Sequence, residues 1–279
     1  MSSAPPLADQ DSRRDRLRRA LGSPVVLAAL TAVASLVVIL PWIGALIVNP
    51  AYVRWLVGID ADIYFTATQV WLQDGQWYLP RQLAGPYGIE YGDVLYPPIL
   101  PYLLVPFQWL PFALWWAIPL AAIAIGLMAM RPPRWSWPLL IVCLAWPLSV
   151  EQLIKGNPVL WVMAIATVCL ARGWPLTLVL LKPSLAPFAL PGIHRRSWWI
   201  VLGLMGLAML PFWELALLYP QVILDSRGGG LLYSVRDIPL LLMPLIAALA
   251  SGRLRPARPT RSRRETAPPI ETGPSNLPG

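Results

Sequence analysis

Asp60 and Asp62 are the residues of this sequence best suited to chemistry. They lie in a polar segment, residues 58–98, that separates two hydrophobic parts of the chain. A carboxylate beside a cavity can take a proton from a hydroxyl group or hold a metal ion. On a helix, the two side chains would point about 200° away from each other, so at most one should face a cavity. The alternative interpretation is that Asp60 caps a helix and that Asp62 is solvated.

Lys182 is the second candidate, because it lies inside the apolar stretch LTLVLLKPSLAPF. A charge within such a stretch is costly, and by default it indicates a function. Pro183 and Pro187 would loosen a helix at this point. The ammonium group could then hold a phosphate as a point charge. Two alternatives stay open: the side chain snorkels to an interface, or the segment re-enters instead of spanning.

A short polar break, EQLIKGNP, contains Gln152 and Asn157 between two apolar runs. It either lines a cavity or forms a simple loop with a Gly-Asn-Pro turn. The polar segment also carries aromatic side chains that could stack on sugar rings or on a polyprenyl chain, with packing onto a membrane as the ordinary alternative. These are Trp71, Trp77, Tyr78, Tyr87, Tyr91 and Tyr96.

The composition indicates an integral membrane protein. Of the 279 residues, 57% are hydrophobic and only 13% are charged, whereas soluble domains have about a quarter of their residues charged. We therefore predict an all-α polytopic fold with about eight transmembrane helices. The predicted spans are residues 24–48, two within 96–130 that turn near Leu110–Phe112, 135–150, 158–171, 174–191, 198–219 and 239–250.

The net charge of +8 is concentrated in the tails, since half of the 22 basic residues lie in residues 13–19 and 253–264. Because Lys and Arg stay on the cytoplasmic face, both tails should be cytoplasmic, and their arginines should attract anionic membrane lipids. Without an aromatic and basic motif, nucleic acid is not an expected partner. Eight spans would put Arg131, Arg134 and Arg172 outside, against the same charge rule.

Three parts of the chain follow from this pattern: a cytoplasmic basic tail (1–23), a membrane domain (24–250) and a disordered basic tail (251–279). Within the membrane domain, residues 49–95 form the outer loop that would carry the chemistry. A helix is predicted over Asp60–Gln73, because Ile63, Ala67, Val70 and Trp71 recur at helical spacing and Gly75 closes the run. It should be a short amphipathic helix lying at the membrane surface.

Several motifs occur in an order that resembles one enzyme family. They are Asp60-x-x-x-Tyr64-x-x-Ala67, Asp74-Gly75-Gln76-Trp77-Tyr78, Tyr96-Pro97-Pro98, Trp115-Trp116, Lys155-Gly156-Asn157-Pro158, and Lys182 followed by Pro187. The chain is similar to the bacterial membrane glycosyltransferases of family 87, in the GT-C superfamily. It departs from the family in lacking a Gln after Gly156 and in being shorter.

The resemblance implies transfer of a hexose or pentose, of the mannose or arabinose type, from a polyprenyl-phosphate donor to a cell-envelope glycolipid or glycan. The reaction would take place on the outer face of the bacterial cytoplasmic membrane. Asp60 would be the general base, with Asp62 as the fallback, and Lys182 would face the donor phosphate. Substrate-binding roles would fall on Tyr64, Tyr78, Tyr96, Gln152 and Asn157. No metal ligands are predicted, although a divalent ion is left open as a cofactor.

Two other functions fit parts of the pattern. The short C-terminal half also suits a non-catalytic, lipid-binding or scaffold member that kept the fold. A Lys near the membrane midplane between Pro-broken helices would suit a small transporter. Transporters usually show internal repeats, and none is found in this sequence.

Overall fold

The structure, a computed structural model, describes residues 23–227 and 237–254. Most of each predicted tail, residues 1–22 and 255–279, lies outside the described residues. The described chain is mostly helical, as predicted. Its α-helices are α1 Pro24–Val48, α2 Pro50–Leu56, α3 Ile59–Asp74, α4 Pro80–Leu83, α5 Leu100–Leu104, α6 Leu114–Met130, α7 Trp137–Ala145, α8 Pro147–Lys155, α9 Val159–Arg172, α10 Ala186–Ala189, α11 Arg196–Met209, α12 Trp213–Asp225 and α13 Ile238–Ala250.

Short elements connect these helices. The 3₁₀ turns are Val105–Gln108, Arg134–Ser136, Leu176–Leu181, Pro183–Leu185 and Leu210–Phe212. Two-residue strands, β1 (Tyr87–Gly88) and β2 (Ser226–Arg227), pair in parallel. This pair joins the loop after α4 to the end of α12.

Two helices of the bundle, α6 and α9, run parallel. Near their N-terminal ends, the indole of Trp115 donates a hydrogen bond to the Gly156 carbonyl (2.7 Å). At their C-terminal ends, the Arg253 guanidinium donates to the carbonyls of Ala171 (2.6 Å) and Ala129 (2.9 Å). Arg253 follows α13, so α13 ends here too. We call these two ends of the bundle the loop end and the arginine end.

Three further helical segments, α1, α7 with α8, and α11 with α12, run along the bundle toward the loop end. Helices α7 and α8 return there from the arginine end with a 59° bend between them, at Pro147, which has no amide N–H to donate. Helices α11 and α12 end beside the loop, where the Tyr87 hydroxyl donates to the Val222 carbonyl (2.9 Å). Helix α1 packs against α7 and leads through α2 to Gly58, whose amide donates to the Ile154 carbonyl (2.9 Å). The described chain thus passes along the bundle six times.

The prediction of eight spanning helices is wrong. Apart from α1, whose side chains are described only in part, one helical stretch of the described residues, Arg196–Asp225, is long and apolar enough to span a bilayer. The bent pair Arg134–Ala145 and Pro147–Lys155 makes a second if it counts as one span. The helices α6, α9 and α13 are apolar but shorter. Proline and 3₁₀ breaks divide the apolar sequence into pieces of this length.

Residues 96–130 do not form the predicted hairpin of two spans. Only α6 runs along the bundle, while α5 and the turn after it pack against α3 beside the outer loop. Leu100, Leu104 and Phe107 are buried there, among the aromatic side chains of the loop. Pro101 and Pro106 each remove a backbone donor, so this stretch cannot build a long helix.

Residues 174–195 form a re-entrant segment rather than the predicted span over 174–191. Both of its ends lie at the arginine end, because the Arg195 guanidinium donates to the Gly173 carbonyl (2.7 Å). Its middle, at Lys182, reaches the loop end and lies against Tyr96. The segment contains two 3₁₀ turns and the single-turn helix α10. This is the re-entrant alternative that the prolines around Lys182 had left open.

The six passes also remove the conflict over the central arginines. Arg131 directly follows α6 and Arg172 is the last residue of α9, so both lie at the arginine end together with Arg253. Arg134 lies in a turn that contacts α13, whose C-terminal end is also there. The acidic residues Asp60 and Glu151 lie at the opposite, loop end. Arg81 and Lys155 also lie at the loop end, where they pair with Asp93 and Glu151, so the concentration of arginines at the other end is only partial.

Candidate functional site

A chain of polar side chains crosses the loop end of the bundle. The Asn157 amide donates to Asp60 Oδ2 (2.6 Å), and the Tyr96 hydroxyl donates to Asn157 Oδ1 (2.9 Å). Lys182 Nζ lies 5.1 Å from the centre of the Tyr96 ring and donates to Asp237 Oδ2 (2.6 Å). We call these five residues the polar chain. It joins four residues that the sequence singled out separately, Asp60, Tyr96, Asn157 and Lys182.

Asn157 holds its central position because of the turn between α8 and α9. Gly156 ends α8 with a left-handed φ of 68°, a conformation that glycine adopts without strain. Asn157 Oδ1 then accepts a hydrogen bond from the amide of Val159 (3.0 Å) at the start of α9. The same oxygen therefore caps α9 and receives the Tyr96 hydroxyl, while the amide nitrogen is left to face Asp60.

We expect Gly156→Ala to destabilise the protein. A Cβ at Gly156 would lie 2.6 Å from Trp116 Cζ2 and 3.0 Å from Ala61 Cβ, in addition to the left-handed φ. The backbone strain alone costs about 1–3 kcal/mol. Gly173→Ala is a matched control, because Gly173 has the same φ of 68° but nothing within 4 Å of a new Cβ. Thermal unfolding in detergent should show a larger loss for Gly156→Ala, and equal losses would contradict the proposed close packing.

Asp60 does not cap α3, so that alternative is wrong. The residue before α3 is Gly58, which has a left-handed φ of 76°, and no side chain caps the helix. Asp60 is half-buried and points to Asn157. Burial raises the pKa of the Asp60 carboxyl above its usual range, and the hydrogen bond from Asn157 offsets part of this rise. A carboxylate with a raised pKa is a stronger base.

Asp62 lies apart from the polar chain. Its side chain is exposed and lines an open hollow that is formed together with Gly58 and Phe112. As the two-residue spacing predicted, only one of the two carboxylates faces the buried polar side chains. Asp62 therefore gains no support as the fallback base.

Asp237 is the one member of the polar chain that the sequence did not reveal. It precedes α13 and is only 2% exposed, and its partner Lys182 is 3% exposed. An isolated buried ammonium is very costly, so each charge compensates the other. The available signal was weak: Asp237 is an acidic residue directly before an apolar run. Nothing in that pattern indicates a partner 55 residues away.

Tyr64 and Tyr78 support the polar chain from behind. Tyr64 packs edge-on against Tyr96, with ring centres 5.2 Å apart. The Tyr78 hydroxyl and the Trp77 indole each donate to the Tyr96 carbonyl at 3.2 Å. Tyr78 is 1% exposed, so it offers no ring face to a substrate here. These contacts fix Tyr96, whose own side chain lies between Asn157 and Lys182.

Gln152 lies on α8 one turn before Asn157. Its backbone carbonyl accepts a hydrogen bond from the backbone N–H of Asn157 (3.0 Å). Its side-chain oxygen is buried, with no hydrogen-bond partner among the residues that the structure describes. Glu151 and Lys155 on the same helix form an ion pair (2.5 Å). The two charges of this pair act on Asp60 in opposite directions: Lys155 lowers the pKa of its carboxyl and Glu151 raises it.

The predicted apolar stripe of α3 lines a cavity instead of packing fully. The prediction of the helix itself is confirmed, from Ile59 to Asp74, with Gly75 after it. Its buried positions, however, include Ala61, Tyr64 and Thr68. Three of the four residues predicted at helical spacing, Ile63, Ala67 and Val70, line a mainly apolar cavity of about 180 Å³ together with the loop. The fourth, Trp71, packs edge-on against Phe212 instead. The lining includes Ile63, Ala67, Val70, Trp77, Tyr78, Tyr91 and Val94.

The part of the chain that the structure describes contains no group of side chains suited to a metal ion. Among the residues described, no three His, Cys, Asp or Glu side chains come together in a way that could hold a metal ion. A divalent cofactor therefore gains no support from the described part of the molecule.

Comparisons with protein-family models, with curated proteins and with solved structures give no match for this chain.

Proposed function

We propose that the protein is a membrane glycosyltransferase that uses a polyprenyl-phosphate sugar as donor. It would move a hexose or pentose, of the mannose or arabinose type, to a glycolipid or glycan acceptor. The observation that carries the proposal is the polar chain itself. A half-buried carboxylate and a buried ammonium are separated by only Asn157 and Tyr96. A base and a phosphate-binding cation at this separation suit the two ends of a displacement at a sugar carbon.

The reaction assigns a role to each end of the polar chain. Asp60 takes the proton from the acceptor hydroxyl while the oxygen of that hydroxyl forms a bond to the anomeric carbon of the donor. The bond between that carbon and the phosphate oxygen breaks, and its electron pair stays on the polyprenyl phosphate. Lys182 stabilises the negative charge that develops there. Asn157 positions Asp60 through the 2.6 Å hydrogen bond.

Asp237 must give way for a phosphate to reach Lys182. In the structure the ammonium donates a hydrogen bond to this carboxylate, at 2.6 Å. A donor phosphate would replace one anion by another, which keeps the buried ammonium compensated. The displaced Asp237 carboxylate would have to turn toward water or take up a proton, because a buried carboxylate without a partner is costly. The re-entrant segment supports this exchange, because Lys182 lies between two short 3₁₀ turns rather than inside a rigid helix.

The outer surface of the bundle supports a position in the membrane. Helices α1, α11 and α12 expose large apolar side chains, among them Val37, Leu40, Leu204, Leu207 and Leu217. Soluble monomers rarely expose apolar area on this scale. With the arginine end in the cytoplasm, both termini would be cytoplasmic and the polar chain would lie near the outer face. A bacterial cytoplasmic membrane, with surrounding lipids as partners, fits this orientation.

A second function, a non-catalytic lipid-binding or scaffold protein, is favoured by one observation. Lys182 and Asp237 compensate each other in the buried interior, and together they tie the re-entrant segment to the start of α13. An ion pair can serve this structural purpose without any ligand. In that case the donor would bind to the apolar surface, without turnover.

Donor turnover separates these two functions. The full chain, in lipid nanodiscs, would be given one of three donors: polyprenyl-phosphate mannose, polyprenyl-phosphate arabinofuranose or the nucleotide sugar GDP-mannose. α-Linked mannobiose and an arabinofuranose disaccharide would be supplied as acceptors, and free polyprenyl phosphate or GDP would be measured. We expect release of polyprenyl phosphate from at least one lipid donor and no reaction of the nucleotide sugar. Donor binding without any release would favour the scaffold, and turnover of GDP-mannose alone would refute the proposed donor class.

A further inference from the structure

An open hollow lies beside the start of α3, on the side away from Asp60. Its volume is about 330 Å³, which is enough for one or two sugar rings. The residues that line it are Trp55, Val57, Gly58, Ile59, Asp62, Tyr91 and Phe112. It therefore combines three aromatic rings with one carboxylate.

We propose that this hollow, which we call the Asp62 hollow, binds a neutral saccharide unit of the acceptor. The proposal rests on the proposed transferase function and names the acceptor subsite. The side chains of Trp55, Tyr91 and Phe112 are 60%, 63% and 48% exposed, so their rings are free to meet a ligand. Aromatic faces carry partial negative charge and attract the C–H groups on the flat side of a sugar ring.

Asp62 provides the polar partner in the hollow. Within the described part of the chain, no hydrogen bond or ion pair engages the Asp62 carboxylate. The Asp60 carboxylate, in contrast, accepts a hydrogen bond from Asn157. A carboxylate accepts strong hydrogen bonds from hydroxyl groups. It would also repel a phosphate, so the hollow suits a neutral sugar better than the donor's anionic group. Carboxylate and ring faces together would orient the sugar.

The floor of the hollow is held by close packing. Gly58 has a left-handed φ of 76°, and a Cβ at this position would lie 3.3 Å from the Phe112 ring. Phe112 in turn stacks edge-on against Trp116, at 4.9 Å between ring centres. The Trp116 indole is fixed by a 2.7 Å hydrogen bond to the Leu153 carbonyl on α8. The hollow is thus formed before any ligand arrives, which lowers the cost of binding.

The position of the hollow relative to Asp60 suits an acceptor. Ile59 lines the hollow and is the neighbour of Asp60 in the chain. The side chains of Asp60 and Asp62 leave α3 in nearly opposite directions, about 200° apart. The sugar in the hollow would therefore not be the ring that reacts. It would hold a second ring of the acceptor, while the reacting hydroxyl extends around the start of α3 toward Asp60.

Saccharide binding can be measured without turnover. The full chain in nanodiscs would be titrated with α-linked mannobiose, and separately with an arabinofuranose disaccharide, by saturation-transfer NMR and tryptophan fluorescence. We expect saturable binding of at least one disaccharide. Trp55→Leu and Asp62→Asn should each weaken it by about tenfold, equivalent to about 1.4 kcal/mol. Trp109→Leu is the matched control, since Trp109 is 77% exposed and lies outside the hollow.

Three results would overturn the inference. The first is that neither disaccharide binds to the wild-type protein. The second is that the disaccharide binds equally well to the Trp55→Leu and Asp62→Asn variants, which is expected if these residues only anchor the loop in the membrane interface. A choline probe that binds in place of the sugars would indicate a cation cage instead.

The failure of the proposed function would look different. If the wild-type protein binds disaccharide but turns over no lipid donor, the transferase proposal fails and the saccharide site stands. If it turns over donor while Asp62→Asn leaves the KM for acceptor unchanged, the transferase stands and the saccharide site fails.

Discussion

Asp60→Asn is expected to lower donor turnover by about 100- to 10,000-fold, the usual contribution of a general base. Asn keeps the size of the side chain and an oxygen that can accept the hydrogen bond from Asn157. It loses the negative charge and, with it, the capacity to take a proton. The measurement is the rate of polyprenyl-phosphate release in nanodiscs. Asp74→Asn, at the exposed end of the same helix, is the control that should keep the wild-type rate.

The protonation of Asp60 should also be visible in the pH dependence of wild-type turnover and in the stability of the Asp60→Asn variant. Burial raises the pKa of Asp60, so turnover should fall on the acid side at a higher pH than for an ordinary carboxyl group. A raised pKa also means that ionisation of Asp60 costs stability, and this cost appears as the pH rises through the pKa in the folded protein. At neutral pH, Asp60→Asn should therefore melt at a higher temperature than wild type. An unchanged rate of turnover would contradict a catalytic Asp60. A lower melting temperature of the variant would contradict a buried carboxylate that costs stability.

Lys182→Met is expected to destabilise the protein by about 3–5 kcal/mol, because it leaves the Asp237 carboxylate buried without a partner. Both side chains are 3% exposed or less, so water cannot compensate for the loss. The free energy of unfolding in detergent, or the thermal midpoint, measures this effect. Replacing both residues, Lys182→Met with Asp237→Leu, should restore most of the loss, since an apolar pair of similar size is often neutral or stabilising.

The double variant also contains the check on this prediction. If the single variant Lys182→Met unfolds like the wild type, the ion pair is not buried as described. If the double variant is as unstable as the single one, the loss comes from packing around the re-entrant segment rather than from an unpaired charge. Both results can be read from the same unfolding curves.

Local signals predicted the helix of the outer loop well. The expected helix over Asp60–Gln73 differs by one residue at each end from the observed one. Gly58 and Gly75 flank it, and both have a left-handed φ, so backbone chemistry close in sequence sets its ends. The side of the helix that becomes buried was not predictable in the same way. Ala61 and Tyr64 pack against aromatic residues that are distant in the chain.

The number of passes could not be read from hydropathy. Residues 174–195 are as apolar as a spanning segment, yet they turn back at Lys182. That turn depends on contacts with distant residues, namely Gly173 with Arg195 at one end and Lys182 with Asp237 in the middle. Residues 100–108 are equally apolar, but their prolines limit helix length. Apolar composition alone does not distinguish these pieces from membrane spans.

The candidate site was predictable as separate residues rather than as an arrangement. Asp60, Asn157 and Lys182 each stood out because a polar group in apolar surroundings is costly. Their meeting depends on a hydrogen bond across 97 positions, between Asn157 and Asp60. Asp237 escaped notice because an acidic residue before a helix is common. The functional roles assigned to these residues remain proposals.

The binding of polyprenyl phosphate to the folded double variant, Lys182→Met with Asp237→Leu, tests the central claim most directly. Native mass spectrometry would compare it with the wild type and with Asp60→Asn, using polyprenol without phosphate as the reference ligand. We predict that the double variant binds polyprenyl phosphate at least about tenfold more weakly, that it binds polyprenol as the wild type does, and that Asp60→Asn keeps full affinity for both. Equal affinity of the double variant and the wild type for polyprenyl phosphate would contradict a phosphate site at Lys182.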